Sequence, residues 1–214
     1  MRIATILVTR GKSCHVKTLH TILRFNLKCM QRGNTENEVV FVDDEPFEKA
    51  EIIYKYLKSH DRIFFIDFGI SVDEGSLDKV FDKNDGIGCL VFPGVTEGID
   101  WDMFKEKVVS KSKEPVEQIG LHFDTVVANK ISHDIYAVNE TSAKSWVMMN
   151  KNVMKHLKDK KNGAFKIHPR MKNMFLKLKE AGIKIHAYTE AKLTMTYSHE
   201  CISNILNAAG VKSN

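Results

Sequence analysis

Apolar runs and helical periodicities alternate from the first residues onward. Ile3 to Val8 is a short, mainly apolar run, the pattern of a first strand. Beyond Thr9-Arg10-Gly11-Lys12, apolar residues recur at Val16, Leu19, Leu23, Leu27 and Met30, which share one face of a helix that Arg32-Gly33-Asn34 stops. Glu38 to Val42 reads as a second strand closed by Asp43-Asp44, and Pro46 to about Ser59 as a second helix. The most apolar stretch follows: Arg62-Ile63-Phe64-Phe65-Ile66, entered from polar His60-Asp61, rich in β-branched and aromatic residues and running through Asp67 to Asp73. Such a β-α-β-α-β opening signals a parallel sheet covered by helices.

Further along, Glu74 to Phe81 reads as a helix, Asp85-Gly86-Ile87-Gly88 as a turn and Cys89 to Phe92 as a fourth strand, broken by Pro93-Gly94. Thr96 to Asp102 reads as a polar loop carrying Trp101, and Val108 to Pro115 as a lysine-rich connection. Leu121 to Val127 and Ile135 to Val138 are strand-like, the latter near a sheet edge. Ala143 to Leu157, which contains Trp146, is mixed in pattern and ends as a helix. Met171 to Ala181 is amphipathic, with Met174, Phe175 and Leu178 inward and Gly182 as its C-cap. A late strand, Ile183 to Tyr188, and a final helix from Glu200 to Ala209 complete the reading. Neither an internal repeat nor a low-complexity linker interrupts it, so residues 1–214 are expected to form one domain, complete or one module of a longer polypeptide.

Length and composition narrow the class. A chain of 214 residues, 43% hydrophobic and 28% charged, matches an ordinary globular protein with one good-sized core. Its apolar runs are too short for a membrane span, and the first one is too short and wrongly flanked for a signal peptide. The four cysteines form no Cys-x-x-Cys pair, which favours reduced thiols over a zinc site and suggests a cytoplasmic setting. Charge is uneven: residues 1–100 hold 13 Lys/Arg against 16 Asp/Glu, a net of −3, and residues 101–214 hold 19 against 11, a net of +8. A basic α/β nucleic-acid-binding module is therefore the alternative reading. Against it, few aromatics interleave with the lysines, the sequence pI of about 8.9 is short of a strongly basic domain, and the early strands end in carboxylates that repel phosphates.

Those carboxylates carry the candidate chemistry. A charge at the end of a buried strand needs a partner or a metal, and the carboxyl ends of parallel strands border the crevice where open α/β sheets bind ligands. Asp43-Asp44 and Asp67 share that edge. Asp67-Phe68-Gly69 matches the kinase metal-binding tripeptide, but neither the glycine-rich loop nor the His-Arg-Asp loop of kinases accompanies it. Thr9-Arg10-Gly11-Lys12 is neither a dinucleotide fingerprint nor a phosphate loop. Arg10 and Lys12 are either solvated loop cations or contacts for an anionic ligand.

An apolar strand ending in Asp-x-Asp, as Phe64-Phe65-Ile66-Asp67-Phe68-Gly69-Ile70-Ser71-Val72-Asp73-Glu74-Gly75-Ser76-Leu77 nearly does, resembles the metal motif of GT-A fold glycosyltransferases. With Ile99-Asp100-Trp101-Asp102, Ala143-Lys144-Ser145-Trp146-Val147-Met148 and Tyr197-Ser198-His199-Glu200-Cys201-Ile202-Ser203-Asn204-Ile205-Leu206, the chain is similar to the capsid-glycosylating transferases of the chloroviruses, large DNA viruses of algae. The resemblance implies a Rossmann-like GT-A fold, with a central, mostly parallel sheet flanked by helices. It implies transfer of a glucose-like sugar or rhamnose from a UDP-sugar to a glycan or glycoprotein acceptor, with retention, in the host cytoplasm. It implies Mn²⁺ or Mg²⁺ held by Asp67 and His199, and a nucleoside pocket lined by Thr9, Arg10, Asp43 and Asp44. The sugar side would be Gly69, Trp101, Ser145 and Trp146, with Asp102 as the catalytic carboxylate. One departure stands out: Gly69 occupies the position of the motif's second Asp. It would let the diphosphate approach the backbone closely, and His199 would supply the missing ligand. For three of these residues a plainer role stays open: a turn for Asp44, a surface helix start for His199 and the core for Trp146.

Overall fold

The opening forms as read. In the computed structural model, which describes residues 1–83, 86–96, 98–115, 118–157 and 167–196, β1 (Arg2–Thr9) leads to α1 (Val16–Gln31), β2 (Glu36–Asp43), α2 (Pro46–Ser59) and β3 (Arg62–Ile66). Then come β4 (Ile70–Val72), α3 (Glu74–Leu77) with a 3-10 turn at Asp78–Phe81, β5 (Cys89–Phe92) and α4 (Trp101–Val109). The remaining elements are β6 (Thr125–Ser132), β7 (Ile135–Thr141), β8 (Ser145–Met149), α5 (Asn150–His156), α6 (Met171–Glu180), β9 (Ile185–Tyr188) and β10 (Leu193–Met195).

Eight strands make one sheet in the order β2-β1-β3-β8-β5-β9-β7-β6, and β10 pairs with β4 in a two-stranded ribbon. β1 is parallel to β2 and β3, and β5 to β9, while β8 and β7 are antiparallel to their neighbours. Six strands thus point one way and two the other, a mostly parallel sheet. Strands β1, β3, β5 and β8 are buried on both faces, which is why they read as near-continuous apolar runs. Ile63 and Phe65 of β3 face the core shared with Ile53, Leu57, Phe175 and Leu178, on the side of α2, α5 and α6. Phe64 and Ile66 face Ile22, Phe25, Leu77 and Phe81, on the side of α1 and α3. Among the described residues no helix is long and apolar enough to cross a membrane.

Three local expectations change. The stretch from Arg62 to Asp73 is two strands, not one: Asp67-Phe68-Gly69 forms a turn, with the Ile70 N–H donating to the Asp67 carbonyl at 3.2 Å and Gly69 at φ +74°. The segment Thr96 to Asp102 is not all loop, and the connection expected from Val108 begins inside a helix. Asp100 accepts the Met103 N–H at 2.9 Å and so caps α4, which carries Trp101 and Asp102 in its first turn. The third change inverts α1. Its apolar stripe Val16, Leu19, Leu23, Leu27 and Met30 is exposed, while Thr18, Thr21, Ile22, Phe25 and Cys29 face the core. The reason lies in β4, which leaves the main sheet and needs partners for its backbone. Thr21 Oγ1 donates to the Val72 carbonyl at 3.1 Å and accepts the Val72 N–H at 3.0 Å. A buried backbone group without a partner costs more than a threonine costs a core. The helix expected over Glu200–Ala209 lies outside the described residues.

Candidate active site

β1, β2 and β3 end side by side, and their last residues build one cluster. Gly11 and Lys12, both at positive φ, close a tight turn in which Arg10 and Ser13 exchange backbone hydrogen bonds, folding the chain back over the end of β1. Thr9, buried, lies 3.1 Å through its hydroxyl from both the Val42 carbonyl and Asp43 Oδ1, and its carbonyl accepts the Asp44 N–H. The Asp44 carboxylate accepts from Arg10 Nε at 2.8 Å on one oxygen and from Lys49 Nζ at 2.6 Å on the other. Burial alone would push its pKa up, but the two cations outweigh burial and hold it below the usual carboxylate range. Asp44 thereby fixes two cations at the strand ends. The Arg10 guanidinium lies 4.8 Å over the Phe68 ring, whose other neighbour is the His15 ring at 5.4 Å. Beside them, Thr9, Lys12, Phe41, Asp43 and Glu48 line a cavity of about 210 Å³.

Asp67 stands at the end of β3, half-buried. Its N–H donates to the Lys144 carbonyl at 2.8 Å and its Oδ1 accepts the Phe68 N–H at 2.9 Å. Burial raises its pKa, the Asp44 charge adds to the rise, and the Lys49 and Lys144 ammonium groups and the Phe68 N–H oppose it. Among the described residues no three His, Cys, Asp or Glu side chains converge as a ready metal cage. A hard divalent cation does not require one: Mg²⁺ typically takes one or two carboxylates, keeps several waters and fills its shell with phosphate oxygens. Asp67 fits that role, since its partly desolvated charge is the kind a bound cation stabilises.

A second buried carboxylate, unforeseen in the sequence, lies farther along the same edge. Asp124, just before β6, is 7% exposed. Its N–H donates to the Gly94 carbonyl at 2.9 Å, and its Oδ1 accepts the Gly94 N–H at 3.1 Å and the Thr125 hydroxyl at 2.7 Å. Oδ2 is buried without a hydrogen-bond partner. Burial raises this pKa too, against hydrogen bonds from the Thr125 hydroxyl and the Gly94 and Lys144 N–H groups and against the Lys144 charge. Lys144, just before β8, therefore acts on both Asp67 and Asp124. Lys49, Phe68 and Phe41 also escaped the sequence reading. Nothing in their spacing marks them, because strand order alone brings them to the edge.

Other expected site residues are placed elsewhere. Ser145 and Trp146 belong to β8, which pairs on both sides in the middle of the sheet, and both are fully buried. The Ser145 hydroxyl donates to the Phe65 carbonyl at 3.2 Å. Trp146 stacks on Phe65 with centroids 4.8 Å apart and meets Phe175 edge-on at 6.0 Å. Neither can reach a sugar, which corrects the expectation and leaves Trp146 the core role. Gly69 also has another explanation: a Cβ there would lie 2.8 Å from the Thr196 carbonyl oxygen, so the glycine admits the chain's own backbone rather than a diphosphate. Trp101 is half exposed against Phe104, and the Asp102 side chain is 96% exposed with only Lys105, 4.0 Å away, as ionic partner among the described residues. Nothing in this geometry joins Asp102 to Asp67. His199 lies outside the described residues. Asp73 caps α3, accepting the Gly75 and Ser76 N–H groups.

No family model matches the sequence, and no curated protein does. Solved structures do match. GalNAc-T7, crystallised with UDP, GalNAc and Mn²⁺, is similar over 92% of this chain and 44% of its own, at 11% identity and a TM-score of 0.52. This chain thus spans less than half of that protein. A mutant of Drosophila β1,4-galactosyltransferase 7, in complex with manganese, UDP-Gal and xylobiose, matches over 92% of this chain and 71% of its own at 12% identity, with a TM-score of 0.47. The inositol-1-phosphate CTP transferase of T. maritima matches over 97% and 95%, at 10% identity and a TM-score of 0.45. What the chain shares with GalNAc-T7 at so low an identity is the fold, the Rossmann-like α/β arrangement of GT-A glycosyltransferases.

Proposed function

We propose that this protein is a metal-dependent glycosyltransferase that uses a UDP-sugar donor. The observation that carries the reading is Asp67, a partly desolvated carboxylate at the carboxyl end of β3 beside Lys49 and Lys144, in a fold shared with a UDP- and Mn²⁺-binding transferase. The cavity edged by Thr9, Phe41 and Asp43 suits a nucleoside, with the Phe41 ring and the Asp43 carboxylate available to its base and ribose. Arg10, held by Asp44, would meet the diphosphate. Mn²⁺ or Mg²⁺ on Asp67 would neutralise the leaving diphosphate. His199 is proposed as its second protein ligand.

Trp101 is proposed for the acceptor side, where its exposed ring could pack on a glycan. Retention, a glucose-like or rhamnose donor, a capsid glycan as acceptor and a host-cytoplasmic setting rest on the sequence resemblance to chlorovirus transferases. The test is thermal stabilisation by UDP, GDP or CMP, each with and without Mn²⁺. UDP-selective, Mn²⁺-dependent stabilisation supports the transferase, and Asp67→Asn should abolish the metal dependence while the protein still melts cooperatively. Silence toward nucleotides, with salt-sensitive binding to DNA or RNA, would favour the basic-module reading. An Asp67→Asn variant that responds to Mn²⁺ and UDP like the wild type would remove Asp67 from the site.

A further inference from the structure

We infer that the outward face of α1 docks on an anionic lipid surface and holds the protein at a membrane without spanning it. α1 turns its more aliphatic face outward. Val16, Leu19, Leu23, Leu27 and Met30 are 40% to 75% exposed, whereas the face turned to the core mixes Thr18, Thr21 and Cys29 with Ile22 and Phe25. At about 100° per residue the five outward side chains fall within about 80° of the helix circumference, and they run for about 21 Å along it. Apolar residues scattered singly over a surface are ordinary, but a continuous aliphatic ridge left in water marks a contact surface.

Charge selects the partner. Residues 10–35 hold six Lys/Arg and no Asp/Glu, within a first hundred residues whose net charge is −3. Lys28 is engaged by Asp78 and Glu74, and Arg32 by Asp78. Lys17 and Arg24 are exposed along one flank of the ridge and have no ionic partner among the described residues. Such a helix fits the boundary between acyl chains and anionic headgroups, where the leucines enter the apolar layer and the long cationic side chains reach the headgroups. A second copy fits poorly, because a two-fold pairing of α1 would bring these cations together with no carboxylate on α1 to offset them. A protein partner fits less well too, since the ridge offers no aromatic anchor, and Leu and Val are scarce among interface hot spots.

Co-sedimentation of the full chain with vesicles tests the inference, with an equal mixture of phosphatidylserine and phosphatidylcholine set against phosphatidylcholine alone. Wild type should pellet with the mixed vesicles and lose most of that binding on neutral ones or in high salt. Leu23→Glu with Leu27→Glu should lose at least about tenfold in partitioning. Lys17→Gln with Arg24→Gln should lose about 30-fold, as expected for two cations at an anionic surface. Both pairs replace exposed residues, and circular dichroism should show them folded like wild type. Partitioning of either pair equal to wild type, or equal wild-type binding to neutral vesicles, overturns the inference. So does a wild type that stays in the supernatant, whether a second copy, residues 197–214 or a protein partner covers the ridge instead. A dimer in sedimentation velocity that Leu23→Glu with Leu27→Glu dissociates would then identify the second copy.

Discussion

Gly69 offers the most direct test of how the site is built. In the Asp-x-Asp pattern its position belongs to a metal-binding carboxylate, so a sequence-based repair would be Gly69→Asp. The structure opposes any side chain there. At φ +74° an L-residue pays about 1–2 kcal/mol for the left-handed conformation. A Cβ would also lie 2.8 Å from the Thr196 carbonyl oxygen, so the backbone of residue 196 must move and strain the hydrogen bond from its N–H to the Gly69 carbonyl, 2.9 Å long. Losing that bond costs about 0.5–1.5 kcal/mol. Gly69→Ala should therefore destabilise by about 1.5–3.5 kcal/mol, or about 3–14 °C in melting temperature for a chain of this size. Thermal unfolding followed by circular dichroism reads the shift. Gly69→Asn separates the two contributions, because asparagine tolerates positive φ but still carries a Cβ. Recovery of most of the loss by Asn assigns it to conformation, and equal losses assign it to the Thr196 contact. A Gly69→Ala protein melting within about 1 °C of wild type, or a Gly69→Asp protein that keeps its stability and binds Mn²⁺ more tightly, would refute the argument.

The inverted helix predicts that Leu23→Glu with Leu27→Glu changes unfolding free energy by no more than about 1 kcal/mol in urea titration, as exposed positions allow, whereas Phe25→Ala should cost about 3–5 kcal/mol. Trp146→Ala should likewise cost about 3–5 kcal/mol, while Trp101→Ala stays within about 0.5 kcal/mol; equal losses would contradict the burial of β8. Stability against pH follows from Asp124. Its folded pKa is raised by burial, so its contribution is fully present below the unfolded value, about 3.9, and is lost as pH rises through the folded value. Asn cannot ionise, so the melting temperature of Asp124→Asn should gain on wild type as pH rises through that window; a difference constant from pH 3 to 8 would contradict the raised pKa.

Much of the framework was legible because strands buried on both faces and amphipathic helices write period and composition directly into the chain. β1, α2, β5 and α6 could be read from runs, caps and breakers, and the inward residues Met174, Phe175 and Leu178 from spacing. Asp67 was legible as well, since few carboxylates end so apolar a run. The sequence reading failed where long-range pairing set the rule. β8 looked like an indeterminate segment, yet two strands distant in sequence accept it between them and turn Trp146 from a ligand platform into core. The α1 stripe looked like a core face, but β4 required Thr21 for its unpaired backbone and turned the leucines to solvent.

Local pattern was enough for the α/β alternation and for the strand that ends in Asp67, because these depend on neighbours along the chain. Long-range packing alone settles that Gly69 serves the chain's own backbone, that Asp44 pairs with Arg10 across the ends of two strands, and that Asp124 is buried against Gly94. Each of these is a contact between residues at least 30 positions apart or between separate elements. Strand order makes such contacts, and no local pattern encodes them.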